Sequence, residues 1–354
     1  MKICKISHFR LDMELAEPYT IAYETVSQAS NIIVKLVADN GLTGWGCAAP
    51  DLAVTGETPE QVSNAADETL EGLLLGENPF QIARITHQLK KLQPRSPAFL
   101  AMVDLALFDL LARKAGLPLY QLLGGFRHKI ATSITIGIVS LEETLALVEK
   151  HLKNGFQVIK LKGGLNLVED SEKVLKIREK CGYGFALRFD ANQGYSLEEA
   201  MQFMTAVKGA GLEIFEQPTS QNKDESLGQV SQFTPVPVMA DESIKTLKDA
   251  FRLAADEHTD MVNIKLMKMG GIFESLHVNS VAKAAGLEVM VGCLDESALG
   301  ISAGLHFALS RANIEFADLD GHLDLIGDPF QGLFRLENGV LFPSDSPGLG
   351  TIDI

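Results

Sequence analysis

An α/β protein built as a (β/α)8 TIM-type barrel with an N-terminal α+β capping domain is the architecture the sequence predicts, on three observations. Between residues 126 and 326, eight short apolar runs recur about every 25 residues, most of them separated by an amphipathic helical pattern. The first 125 residues lack that alternation and read as antiparallel strands followed by helices. The length of 354 residues suits one barrel of roughly 200–250 residues plus a smaller companion.

The elements follow in order. Residues 1–5 alternate like a strand and carry no apolar core of signal-peptide length. Strand patterns cover residues 2–15, 31–38 and 43–48, with Asn40-Gly41 turning the last two into a hairpin. Residues 98–114 form the clearest helix of the unit. Ala101, Leu105, Phe108, Leu111 and Ala112 supply its apolar stripe, and Ala115-Gly116-Leu117-Pro118 stops it. After Gly124-Gly125 the barrel runs are expected at 134–138, 158–162, 186–190, 213–216, 238–241, 261–265, 287–291 and 314–319, with helices such as 141–154 and 167–181 between them. An open doubly wound sheet is the competing topology, but it would rarely repeat so evenly eight times. The segment 327–354 is rich in Pro and Gly, has no helical pattern, and is expected to pack back on the capping domain of residues 1–125.

Composition narrows the partners. Apolar residues make up 46% and charged residues 22%, the balance of a globular protein with a sizeable core. A net charge of −15 repels phosphate backbones, which argues against nucleic acid, and no run is long enough to suggest a membrane span. Cys4, Cys47, Cys181 and Cys293 are scattered without a Cys-x-x-Cys pair, so reduced thiols and a cytoplasmic location are expected.

In barrels of this kind, chemistry sits at the C-terminal ends of the strands. The second run ends Lys160-Leu161-Lys162, the third on Asp190, the fourth on Glu216, the fifth on Asp241, the sixth on Lys265, and the eighth carries Asp318-Leu319-Asp320. Any one of these acids could be solvated or paired to a helix terminus. Three on successive strands repel one another across one rim, and a hard divalent cation with oxygen preference, Mg2+, is the natural remedy. Lys162 and Lys265 approach the axis from opposite sides. Beside Mg2+ and a second ammonium their pKa values are expected to fall, giving a base near neutral pH. Alternation makes Lys160 point the same way as Lys162, and Lys268 reads as a loop or helix-start residue. A Schiff-base lysine is the competing chemistry, but it has no need of three adjacent carboxylates.

These residues resemble the enolase superfamily, and within it the muconate-lactonising subgroup, over nearly the whole chain. The motifs are Lys-x-Lys at 160–162, Asp-Ala-Asn-Gln-Gly at 190–194, Glu-Gln-Pro at 216–218, Ala-Asp-Glu-Ser at 240–243 and Asn-Ile-Lys-Leu-Met-Lys-x-Gly-Gly at 263–271. The superfamily's chemistry, a Lys or His base with Mg2+ stabilising an enediolate, comes with the resemblance. So does similarity to dipeptide epimerases, carried by Asp318-Leu319-Asp320 on the eighth strand. The resemblance implies one Mg2+ per subunit on Asp190, Glu216 and Asp241, with Lys162 and Lys265 as the two acid–base catalysts. It further implies Lys160 as a charge stabiliser, Asp318 and Asp320 on the ammonium of a dipeptide, and Thr135 on its backbone. Residues 292–297 match the seventh-strand loop that lines the pocket.

Specificity in such enzymes is expected from loops 18–27 and 50–57. Relatives that accept a C-terminal Glu carry an arginine at the position matching Glu24, so an acid there disfavours Ala-Glu. With Asp51 and Asp295, Glu24 suggests a preference for cationic side chains. If these acids face solvent, small or apolar side chains are expected instead. An N-acylamino acid racemase, an o-succinylbenzoate synthase or a cycloisomerase of the same subgroup remains an alternative, as does a non-catalytic binding or structural protein. The expected partner is a small dipeptide substrate, and homo-oligomerisation is left open.

Overall fold

The computed structural model describes residues 1–22 and 25–354. Strands β1 (Ile3–Thr20) and β2 (Thr25–Ala38) pair antiparallel, and β3 (Thr43–Ala48) lies along the other edge of β2. β1 runs further than its sequence pattern predicts. Its register slips after Glu14 and resumes at Tyr19↔Val26, so strand geometry persists through a stretch with no clean apolar alternation.

Three helices cover this sheet. Helix α1 (Pro59–Leu74) opens with a capping box, Thr58 and Gln61, and with proline in its first turn. It is followed by α2 (Ile82–Leu92) and α3 (Pro97–Ala115), the last ending on Gly116 in the left-handed region. The apolar surface of α3 is wider than the predicted stripe, because most of the helix is buried. β3 admits its backbone at close range. A Cβ on Gly46 would stand 1.9 Å from the Met102 carbonyl oxygen.

After the short α4 (Leu119–Leu122) and β4 (Ile130–Ala131) come eight parallel strands. They are β5 (Ile134–Ile136), β6 (Val158–Lys162), β7 (Ala186–Asp190), β8 (Leu212–Glu216), β9 (Val238–Ala240), β10 (Met261–Lys265), β11 (Glu288–Gly292) and β12 (Ile314–Asp318), each hydrogen-bonded to the next. A parallel bridge between Thr132 and Ala317 brings the last strand back to the first. Helices α5 (Leu141–Lys153), α6 (Leu167–Cys181), α7 (Leu197–Ala206), α8 (Asp224–Phe233) and α9 (Leu247–Ala255) alternate with the strands. Capping boxes at Ser140/Glu143, Ser196/Glu199 and Thr246/Asp249 fix where α5, α7 and α9 begin. Between β10 and β11 lie α10 (Leu266–Met269) and α11 (Ile272–Ala285), and α12 (Ala298–Ala308) precedes β12.

The chain then returns to the first sheet. β13 (Leu325–Ile326) adds to β1 through Leu15↔Leu325 and Glu14↔Ile326. β14 (Phe334–Glu337) and β15 (Val340–Pro343) form a hairpin that pairs with β4. Asp109 of α3 ties three segments together. Its carboxylate accepts from Trp45 N at 3.0 Å, Leu349 N at 2.8 Å and Arg113 Nε at 2.9 Å.

Asp104 does the same for α3 and α11. One carboxylate oxygen accepts from Ile272 N at 2.5 Å and from Phe273 N at 3.3 Å, while the other has no partner. Burial pushes this carboxyl up to about 8, against about 4 when unfolded. Because the folded value is the higher one, its stabilising contribution is full below about pH 4 and is lost as pH rises through about 8. Thermal denaturation should therefore show Tm falling by a few °C between pH 6 and pH 9, and Asp104→Asn should flatten that fall. An unchanged slope in the variant refutes the assignment.

Candidate active site

The strand register aligns the polar ends. Lys162, Asp190 and Glu216 stand side by side on β6, β7 and β8. Lys265, Gly292 and Asp318 do so on β10, β11 and β12. Residues two apart on a strand share a face, so Lys160 sits one layer below Lys162 on the inner side.

Lys160 is fully buried at the floor of the cavity. Its ammonium lies 2.7 Å from Glu216, 2.8 Å from Asp318 and 3.1 Å from Asp190. Lys162 Nζ reaches Asp190 at 2.7 Å, and Lys265 Nζ reaches Asp241 at 2.8 Å. Lys268, the residue expected at a loop or helix start, lies in α10. It is buried and donates to the Asp241 carboxylate and to the Asp241 and Asn263 carbonyls. Its role as an internal cation was not legible from its position in the sequence.

The Lys265 pKa is raised by its ion pairs. Burial and the Lys160 ammonium lower it, but Asp241 and Glu216 together outweigh them. Lys160 is likewise held protonated, its burial outweighed by Asp318, Glu216 and Asp190.

Among the described residues, no three His, Cys, Asp or Glu side chains converge on one point as they stand. The reason is visible in the ion pairs, since lysine ammoniums take the oxygen lone pairs a cation would use. The donor set nevertheless suits a hard cation. Asp190, Glu216 and Asp241 offer only oxygen, and burial together with Asp190 pushes the Glu216 carboxyl up to about 8, a mark of excess negative charge. Two further buried oxygens beside them, Asn192 Oδ1 and Glu242 Oε2, have no hydrogen-bond partner. An all-oxygen, anion-rich cluster with orphaned acceptors fits Mg2+.

The cavity above this floor is lined by Thr135, Lys162, Lys265, Asp318 and Asp320, and also by Asp51 and Asp295. The eighth strand ends at Asp318, so Asp320, expected on the same strand, lies in the loop beyond it, and the two aspartates differ sharply. Asp318 accepts from Lys160 and, at 2.5 Å, from Ser133 Oγ, and Lys160 holds it well below the usual carboxylate range despite burial. Asp320 accepts from Thr135 N at 2.6 Å, and burial with the neighbouring Asp318 pushes it up to about 7. Asp51 spends one oxygen on its own loop, accepting from Ala53 N and Val54 N. Asp295 accepts from the Tyr19 hydroxyl at 2.8 Å. Glu24 lies outside the described residues.

Sequence reasoning missed Ser133, Tyr19 and Glu242. Tyr19 falls inside the predicted specificity loop and Glu242 inside the Ala-Asp-Glu-Ser motif, so both carried a signal. Ser133 carried none. Its partner is 185 residues away.

Two family models cover most of the chain. One is the mandelate racemase / muconate lactonizing enzyme N-terminal domain, over residues 5–124, and the other the enolase C-terminal domain-like model, over residues 143–352. An L-Lys-D/L-Arg epimerase from Desulforapulum autotrophicum is 41% identical over 99% of both chains. The substrate-liganded L-Ala-D/L-Glu epimerase of Bacillus subtilis superposes with a TM-score of 0.96, at 38% identity over 99% of this chain and 98% of that one. The dipeptide epimerase of Methylococcus capsulatus, complexed with Mg and L-Arg-D-Lys, gives a TM-score of 0.94 at 36% identity, with 100% of both chains covered. The barrel, its capping sheet and these matches place the chain in the mandelate racemase / muconate lactonizing enzyme family of enolase-like proteins.

Proposed function

We propose that the protein is a Mg2+-dependent dipeptide epimerase that inverts the α-carbon of the C-terminal residue by 1,1-proton transfer. One observation carries the reading. Two lysines from opposite sides of the barrel, Lys162 and Lys265, flank a buried carboxylate cluster, and an acid suited to an ammonium, Asp320, lines the same cavity. The similar proteins named as dipeptide epimerases support it.

Asp190, Glu216 and Asp241 would hold Mg2+, whose chemistry when bound is Lewis-acid stabilisation of the charge that develops on the substrate carboxylate. Lys160 adds fixed positive charge at the cavity floor. Lys162 takes the α-proton from one face and Lys265 delivers one to the other; the reverse assignment runs the reaction backwards. Lys265 is charged in this arrangement because Asp241 holds its proton, and that hold weakens once Asp241 serves as a metal ligand. Asp320, with the charge of Asp318 behind it, receives the ammonium of the N-terminal residue, while Thr135 fixes Asp320 through its backbone N–H.

For the side chain, Asp51 and Asp295 favour a cationic residue by attraction inside a cleft. Leu15, Ile21, Val26, Val54 and Leu325 line the same cavity and support a second reading, a preference for apolar side chains.

Three measurements test these assignments. In heavy water, the wild type should exchange the α-hydrogen of the C-terminal residue. Lys162→Ala and Lys265→Ala should each lower epimerisation by at least about a thousandfold, and undiminished epimerisation in both sinks the mechanism. KM for Ala-Lys should rise about tenfold per pH unit as pH falls below about 7, because only ionised Asp320 attracts the ammonium. Asp320→Asn should raise KM and abolish this dependence, whereas an enzyme acting on N-acylamino acids would tolerate that change. Finally, kcat/KM for Lys-Lys should exceed that for Ala-Glu by about a hundredfold. A clear preference for Ala-Glu refutes the cationic reading, and a preference for Ala-Phe supports the apolar one.

A further inference from the structure

The seventh-strand loop that carries Asp295 is gripped from the other domain. Asn31, on β2 of the capping sheet, is 1% exposed and points its amide at this loop. Its Nδ2 donates to the Asp295 carbonyl at 3.0 Å, and its Oδ1 accepts from Ser297 N at 2.8 Å. One side-chain amide thus reads a backbone C=O and a backbone N–H two residues apart, as a neighbouring strand would. The Cys47 thiol on β3 donates to the same Oδ1 at 3.3 Å. Turning the amide over would set oxygen against carbonyl and nitrogen against N–H, so its orientation is determined by its partners.

A second grip acts on the side chain. Tyr19 of β1 donates its hydroxyl to Asp295 Oδ2 at 2.8 Å, and its ring packs against a small cluster that includes Met13, Leu15 and Leu325. Backbone and carboxylate of one pocket acid are therefore both set by residues of the first 40 positions, more than 260 residues away in the chain.

We infer that Asn31 and Tyr19 are positioning residues for substrate selection: the capping sheet fixes the place of the Asp295 carboxylate, and the discrimination of cationic side chains depends on that fixed place. This rests on the cationic reading of the pocket given above. An unanchored aspartate must be ordered when a cation binds, which erodes the affinity it can supply, whereas one already held by a hydroxyl and a pinned backbone avoids that cost. Tyr19 lines the cavity with its hydroxyl given to Asp295, and Asn31 reaches the loop behind that residue, so the effect belongs in substrate binding.

The Mg2+-loaded full-length enzyme tests this with Lys-Lys and Ala-Ala as paired substrates. Asn31→Ala and Tyr19→Phe should each lower the ratio of kcat/KM for Lys-Lys to that for Ala-Ala by about tenfold, carried by KM. In an Asp295→Asn background the same changes should move the ratio by less than about twofold, since they act through the missing carboxylate. If the buried Asn31→Ala variant fails to fold, Tyr19→Phe, which removes a single oxygen, carries the test. Equal losses on both dipeptides, or an undiminished change in the Asp295→Asn background, overturn the inference. The underlying reading fails separately. If Asp295→Asn alone leaves the ratio untouched, the cationic role of Asp295 is wrong and the inference goes with it. If it collapses the ratio while Asn31→Ala and Tyr19→Phe do not, only the positioning role is lost.

Discussion

The ammonium of Lys160 is the contact on which the centre of the barrel depends. It lies within 3.1 Å of Asp190, Glu216 and Asp318, with almost no exposure to solvent. Burying one ion costs several kcal/mol, and three carboxylates packed together without a cation would cost far more. The lysine and the acids are tolerable only as a set. Lys162, Lys265 and Lys268 extend the same balance to the rim, each facing Asp190 or Asp241. A site so balanced can exchange one kind of positive charge for another without rebuilding its walls. That is the property a metal-dependent acid–base centre requires.

Around this centre the two domains divide the work. The charged residues come from the ends of barrel strands, which the parallel ladder holds rigid. Much of the pocket wall comes from the seam with the capping sheet. The loop after β12 is held because residues 325–326 become an edge strand on β1. The loop after β11 is held because Asn31 pairs with its backbone. The pocket wall can therefore vary with the capping sheet while Lys162 and Lys265 stay where the barrel puts them.

This division also explains what could be read from the sequence. Strand ends were legible because most of the buried strands are short apolar runs closed or followed by a polar residue, and because capping boxes such as Ser140/Glu143 punctuate the helices between them. Lys-x-Lys was legible because strand alternation has a period of two. Contacts between distant segments were not. Nothing local announces that Ser133 will meet Asp318, or that Asn31 will read residues 295 and 297. Nor does either residue's neighbourhood in the chain announce that Lys265 will pair with Asp241, which follows the preceding strand. The near-complete burial of α3 was also hidden, since it depends on Gly44 and Gly46 of β3 yielding space to its backbone.

The pair Asp318 and Asp320 shows how a motif can conceal a division of labour. Both were read as acids for one ammonium. In the structure Asp318 is committed to Lys160 and Ser133, whereas Asp320 is held by Thr135. Asp318 is thus a counter-ion of the barrel floor as well as part of the pocket wall. Through Lys160 it is joined to Glu216 and Asp190, two residues that would hold Mg2+. The carboxylate cluster and the Asp318 end of the pocket are therefore tied by one buried side chain, and the barrel fixes their separation. A substrate with a carboxylate for one end and an ammonium for the other must carry them at that separation. In the proposed function, that requirement selects a dipeptide over a free amino acid before any side chain is recognised.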